Sequence, residues 1–149
     1  MKNIFDTENY KEIMSRIDKL SPQSQAAWGK MNVSQMLAHC SGVVQMALGE
    51  IKLKVPFIFK IIGPLFKSAI TNEKPFKRNS PTAPEFVMVS SQKEFETEKE
   101  RLKSLVSKLH NTRDGFEGRR HPFFGKMTKD DWANSAYKHL DHHLRQFGV

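Results

Sequence analysis

Apolar residues along this chain recur mostly at the three- and four-residue spacing of one helical face. Between Asp6 and Leu20 the series is Tyr10, Ile13, Met14, Ile17 and Leu20. Asp6 or Thr7 is placed to cap that helix and Ser21-Pro22 to end it. A connection through Gln25 to Lys30 holds Trp28 and Gly29. Asn32 then reads as an N-cap with Gln35 three residues on, a capping-box pattern. The helix it opens runs to about Gly49 and buries Val33, Met36, Leu37, Val43, Met46 and Ala47 or close neighbours. A third helix starts at Ser90 or Ser91, with Phe95, Leu102, Leu105, Val106 and Leu109 as its inner stripe. Glu94 through Lys103 form its charged face. Thr128 caps the last helix, Asp130 and Asp131 suit its positive end, and Gly148 stops it.

The stretches between these helices read differently. Lys52 to Ile70 is densely apolar, but Pro56 and Gly63-Pro64 divide it, so one or two short helices packed over the bundle are expected. Asn72 to Val89, with Pro75, Pro81 and Pro84, reads as an extended crossover loop, and Asn111 to Met127 as irregular. Four substantial helices, short elements between the second and third, and no run of alternating strand residues predict an all-α helical bundle. With no linker or internal repeat, residues 1–149 form one domain.

Composition narrows the class. An apolar fraction of 38% with 11 Phe marks a folded protein rather than a disordered tail. The single Cys40 excludes an intrachain disulfide and suits a reducing cytoplasm. The first residues hold no apolar run of signal-peptide length. Val55 to Ile70 is too short and too interrupted by Pro56, Lys60, Pro64 and Lys67 to span a bilayer, so no membrane partner is expected. Net charge is +8, with basic residues gathered at Lys52–Lys54, Lys74–Arg78 and Arg113–Arg120. A solubilising surface accounts for them. Nucleic-acid binding ranks last among the functions considered, because no RGG repeat, zinc-finger spacing or aromatic RNA-binding signature accompanies the charge.

The candidate chemistry lies in Lys138-His139-Leu140-Asp141-His142-His143-Leu144-Arg145-Gln146, where three of the six histidines fall within five residues. On a helix, His139 and His143 share a face and can offer imidazoles to one ion. His139 and His142 make an almost equally good pair, so spacing alone does not choose. At ~100° per residue, Trp132, Ser135, Ala136, His139, His142, His143 and Gln146 share one face, while Asp141 and Lys138 point elsewhere. A purely structural core helix would carry Leu or Ile at such positions, since an unpaired buried imidazole loses its hydrogen bonds to water. The pair needs a third ligand from another element. His39 supplies a candidate, although taken alone it reads as a satisfied core histidine. Cys40 points ~100° away from His39 and reads as small core filler. Gly42, one turn after His39, allows close helix approach or room for a ligand. His110, at a helix C-terminus, suits a structural role. His121, in His121-Pro122-Phe123-Phe124-Gly125, either lines the mouth of a site or holds its loop. No HExxH, GxSxG, Walker loop or dinucleotide fingerprint occurs, and no Glu-x-x-His pattern of a di-iron bundle.

The order of elements, the second-helix stretch Asn32-Val33-Ser34-Gln35-Met36-Leu37-Ala38-His39 and the final His139-Leu140-Asp141-His142-His143 resemble the DinB/YfiT-like superfamily. The stretch from His121-Pro122-Phe123-Phe124-Gly125 through Trp132 to Lys138–Gly148 is similar to a bacterial subgroup of it with unknown function. That resemblance implies an up-down four-helix bundle whose histidines bind a divalent metal, often nickel or zinc. Carried over by position, His39, His139 and His143 are the ligands and His142 a neighbour of the site. Some members resemble thiol S-transferases using a low-molecular-weight thiol, and others hydrolases or isomerases. A small-molecule substrate and a homodimer are therefore expected. The bulky, proline-broken Val55–Ile70 segment departs from many relatives.

Mechanistically, three imidazoles on one ion leave a position open for a thiol or water, the feature of catalytic rather than structural zinc sites. Gln146, His142 and His121 are then the candidates for orienting a nucleophile or holding a ligand in place. The competing expectation is a non-catalytic bundle that binds a small apolar ligand or a protein partner, its histidines forming a buried polar network.

Overall fold

The computed structural model describes residues 2–80, 82, 84–87 and 92–149. The protein is all-α, with four long helices: α1 (Thr7–Asp18), α2 (Val33–Leu48), α5 (Phe95–Asn111) and α6 (Lys129–Gln146). Two short helices, α3 (Phe57–Ile62) and α4 (Lys67–Thr71), fall between the second and third of them and are joined by a 3-10 turn at Gly63–Phe66. Three helix starts follow from local chemistry. The Asp6 carboxylate accepts from the backbone N–H groups of Glu8 and Asn9. Asn32 with Gln35, and Thr128 with Asp131, close reciprocal capping boxes. Gly49 ends α2 in the left-handed conformation at φ 80°.

The third long helix starts later than its sequence suggests. Its N-cap is Glu94, which makes no side-chain capping bond, and its first residue is Phe95. Ser90 and Ser91 lie outside the described residues, as do Pro81, Ala83, Met88 and Val89 of the expected crossover loop. Within that crossover, Pro84–Phe86 forms a single 3-10 turn.

Cross-helix bonds give the sense of each helix. Ile4 N–H donates to Ala133 O at 3.1 Å, Tyr137 Oη to Glu12 at 3.0 Å and Arg16 to Asp141 at 2.8 Å, so α1 and α6 run parallel. Arg101 reaches Gln45 and Lys108 reaches Glu50, so α2 and α5 also run parallel. Tyr10 meets Ser107 while Lys99 reaches Asp18 and Leu20, so α1 and α5 oppose each other. The four helices thus run up, down, down, up. Strict alternation is interrupted between α2 and α5, because the long crossover returns the chain to the end of the bundle from which α2 started. Ile13, Ile17, Met36, Leu37, Leu102, Leu109, Leu140 and Leu144 meet in the core. Full burial of each such side chain contributes about 1.5–3 kcal/mol relative to exposure.

The expected irregular stretch before α6 contains a 3-10 turn at Arg113–Phe116 and a minimal antiparallel pair, β1 (Arg120–His121) with β2 (Gly125–Lys126). The 3-10 turn carries Phe116, fully buried against Phe5 and Trp132. The paired segment braces the crossover helices. A Cβ on Gly63 would lie 1.8 Å from Phe123 O, and one on Gly125 3.2 Å from Pro64 Cγ. Both glycines are therefore points of close backbone approach. The packing of this segment departs from expectation in one respect: α3 and α4 bury none of their residues, and the 3-10 turn buries only Gly63. Among the described residues, no helix is long and apolar enough to cross a membrane.

Candidate metal centre

The capping box at Thr128 fixes where α6 begins, and buried Trp132 and Leu140 fix which side turns inward. His139 and His143, one turn apart, then face α2 and meet His39. One ring nitrogen from each of the three lies within 4.8 Å of the other two. His39 Nε2 and His139 Nε2 are 3.1 Å apart. The His143 ring centroid lies 4.7 Å from that of His39 and 4.8 Å from that of His139.

The outer nitrogens of two rings are tied down. His39 Nδ1 lies 2.8 Å from Phe86 O. A carbonyl can only accept, so the proton sits on Nδ1 and Nε2 is left bare. His143 Nδ1 lies 2.9 Å from Gln146 Oε1, and the Gln146 amide donates at 2.6 Å to Trp28 O. His143 Nδ1 is therefore also the donor, and its Nε2 is free. Gly29, at φ 84°, makes room for this amide, since a Cβ there would meet Gln146 Nε2 at 2.6 Å. Gly42 has a matching role: a Cβ there would lie 3.1 Å from the Phe86 ring, so the bare helix surface seats the crossover turn that supplies the carbonyl to His39.

His139 is the exception. Its Nδ1 is buried and has no hydrogen-bond partner among the described residues. Burial drives its pKa well below the ordinary value, reinforced by the neighbouring imidazoles His143, His39 and His142. Burial lowers His39 as well and pushes His143 down to about 3. All three rings are neutral near pH 7, as ligation requires.

His142 is half-buried, its ring 5.7 Å from Trp28 and 5.8 Å from Phe76. Asp141 faces away and pairs with Arg16 at 2.8 Å. Lys138 also points away from the triad, yet it is buried. Its ammonium donates to Ala69 O, Asn72 O and Asn72 Oδ1 at 2.8, 3.1 and 2.9 Å and lies 4.5 Å from the Phe76 ring centroid. It thereby clamps the end of α4 and positions the aromatic ring beside His142. Cys40 is core filler, its Sγ 3.7 Å from Met36 Sδ and its thiol pKa raised by burial. His110 has a structural role, its Nδ1 2.9 Å from Ile4 O and its ring stacked on Tyr10.

Beside the triad lies a cavity of about 740 Å³ walled by Val43, Met46, Phe59, Phe76, Trp132 and Ala136 among others, with His139 in its lining. Its volume falls within the ordinary range for small-molecule sites. His121 lines the same cavity but is not part of the three-ring cluster. Its Nδ1 accepts from the N–H groups of Phe123 and Phe124 at 3.1 and 3.3 Å, which places its proton on Nε2.

Burial depresses the His121 pKa from 6.5 to about 4. The unfolded chain therefore takes up this proton first. The His121 contribution to stability is complete above about pH 6.5 and is lost as pH falls through about 4. Denaturant midpoints measured between pH 7 and pH 5 are expected to fall, this residue adding at most about 1.4 kcal/mol per pH unit. His121→Asn keeps an acceptor for the two N–H groups and should flatten that slope; an unaltered slope would contradict the assignment.

Sequence reasoning missed Phe86 O, Trp28 O, Phe76 and the burial of Lys138. Backbone carbonyls carry no residue signature, and the other two features depend on the crossover path. Trp28 beside Gly29 was the one visible signal.

Fold and site together define a helical protein with three converging histidines beside an apolar cavity. The chain belongs to the DUF1569 family, described as a protein of unknown function, whose model matches residues 2–148. No curated protein and no solved structure matches it.

Proposed function

We propose that His39, His139 and His143 hold a divalent cation, nickel or zinc, with coordination left open for a ligand. In this reading the protein is a metal-dependent enzyme acting on a small molecule with an apolar body. The convergence of three ring nitrogens within 4.8 Å carries the reading, and two of those rings have the opposite nitrogen tied to a carbonyl oxygen. Ligating imidazoles are commonly oriented in this way, through the N–H on their far side. The donor set fits: three neutral nitrogens, no competing carboxylate in the cluster, and a pair already 3.1 Å apart, against a separation of about 3.3 Å expected from tetrahedral Zn–N bonds.

A bound cation supplies the Lewis acidity that favours the anionic form of a thiol or water at neutral pH. The chain supplies the rest. Phe86 O and Gln146 hold two rings in place, and the walls of the cavity exclude water from the apolar part of a substrate. His142 is the nearest further imidazole, lowered in pKa chiefly by burial and so neutral and able to accept a proton. The arrangement supports membership of the DinB/YfiT-like superfamily, and with it thiol S-transferase or hydrolase chemistry and a low-molecular-weight thiol as co-substrate, while the free, buried Cys40 supports a cytoplasmic location.

Protein purified without a histidine tag is expected to carry about one ion per chain by elemental analysis, with the content lost in His39→Ala and His143→Ala. Unchanged content in both variants would sink the reading. The apolar cavity itself favours a second reading, a non-catalytic carrier of an apolar ligand. Full binding of a fluorescent apolar probe by metal-stripped protein, with no thiol- or water-dependent turnover once metal is restored, would favour it.

A further inference from the structure

The segment from α3 to α4 presents apolar side chains to solvent in a way the rest of the fold does not explain. Phe57 is 75% exposed, Leu65 79%, and Ile58, Ile61 and Phe66 each more than half. These residues lie close together in the chain, with exposed lysines Lys52 and Lys54 before them and Lys60 among them. At ~100° per residue, Phe57 falls between Lys60 and Ile61 when α3 is viewed end-on, so charge and apolar surface adjoin on one side. No Asp or Glu occurs from residue 51 to residue 72. The segment is not hanging loose. Gly63 sits against the backbone at Phe123, and Lys67 pairs with Asp131 at 3.0 Å. Large apolar side chains held outward by a braced backbone mark an interaction surface.

We propose that this face docks onto an anionic lipid surface, with Phe57, Ile58, Ile61, Leu65 and Phe66 entering the interfacial region and Lys52, Lys54 and Lys60 meeting lipid phosphates. Charge selects this occupant. A two-fold dimer through the same face would gather the lysines of both copies into one interface, with no acidic residue in the segment to offset the repulsion. An anionic surface complements both the lysines and the apolar residues between them. The expectation of no membrane partner rested on the lack of a spanning segment, and peripheral docking needs none. The face also adjoins the cavity: Phe59 is 45% exposed and, with Pro56, lines it. An apolar ligand dissolved in lipid would thus meet the cavity wall where the protein docks. The inference stands independently of the metal reading, since it uses none of the histidines.

The test is co-sedimentation of the full chain with vesicles of equal parts phosphatidylcholine and phosphatidylglycerol, beside vesicles of phosphatidylcholine alone. The wild-type protein is expected to pellet with the first and to be released by salt. Phe57→Ser with Leu65→Ser, and separately Lys52→Glu with Lys60→Glu, should each weaken partition by about tenfold or more. The substituted side chains are exposed, so circular dichroism and thermal melting should be unchanged. Wild-type protein remaining in the supernatant at low salt would overturn the proposal. So would unchanged partition of both variants, or a dimer that the Phe57/Leu65 variant dissociates in a protein that ignores vesicles.

Discussion

His139→Leu is expected to remove most of the metal-induced stabilisation while leaving the metal-free protein about as stable as the wild type. In the wild type, nickel or zinc at one hundred times its dissociation constant adds about 2.7 kcal/mol, equivalent to about 5–10 °C in melting temperature for a chain of this size. His139→Leu should lose most of that shift. The second half of the result discriminates more sharply. His139 is the one ring of the three whose outer nitrogen is buried without a partner among the described residues. Leaving such an atom unpaired costs about 1–3 kcal/mol, while the bond to His39 returns about 1 kcal/mol. Leu removes both, leaves His39 Nε2 unpaired in place of His139 Nδ1, and adds apolar contact with the cavity wall, so the terms nearly offset. His39→Ala is a poorer probe, because it strands Phe86 O and loosens the crossover. Gln146→Ala should retain a shift at 10–100-fold weaker affinity, and Cys40→Ala should retain it in full. A metal-free His139→Leu protein several kcal/mol below wild type would assign His139 to the fold. A full metal shift in that variant would remove it from the site.

This contrast between fold and site bears on what the sequence could tell. Asp6, Asn32 with Gln35, and Thr128 with Asp131 announce their helices because a cap is made within four residues. The inward face of α6 was legible for the same reason, since helical period alone places His139, His143 and Gln146 together. His39 could be named as the third member only because the pair needed one. Nothing local says that α2 brings it to 3.1 Å from His139. The parts that stayed hidden depend on the crossover. Its glycine-seated turn delivers Phe86 O to His39, and its end delivers Asn72 to Lys138 and Phe76 to His142. Lys138 illustrates the difficulty: by period it points away from the histidines, and nothing local shows the three oxygen acceptors from α4 and its flank that let it be buried. The stretch Val55–Ile70 misleads in the opposite direction. Dense apolar sequence normally means core, yet here the backbone is pinned through a glycine and the side chains face outward.

That pinning yields the second large effect, at Gly63. Gly63→Ala is expected to destabilise the protein by about 1–3 kcal/mol or to detach the α3–α4 segment from β1 and β2. The added methyl would lie 1.8 Å from Phe123 O and 2.8 Å from its carbonyl carbon. Both are backbone atoms that no rotamer change can move. Gly63 itself is helical, at φ −54°, so alanine fits its dihedral angles and only the contact is at fault. Gly115→Ala is the matched control, because its methyl would meet Thr112 Cγ2 at an ordinary 3.7 Å. Gly115→Ala should be neutral or stabilising by about 0.4–1 kcal/mol through the entropy of the unfolded chain. Limited proteolysis separates the two outcomes for Gly63→Ala. Cleavage confined to residues 52–71 with unchanged melting of the remainder means detachment, and a uniformly lower melting temperature means strain shared by the bundle. Because Phe59 and Phe123 both wall the cavity, either outcome should also weaken binding of an apolar probe there. Equal stability and equal proteolysis in the two alanine variants would show that the close approach at Gly63 does not hold the segment in place.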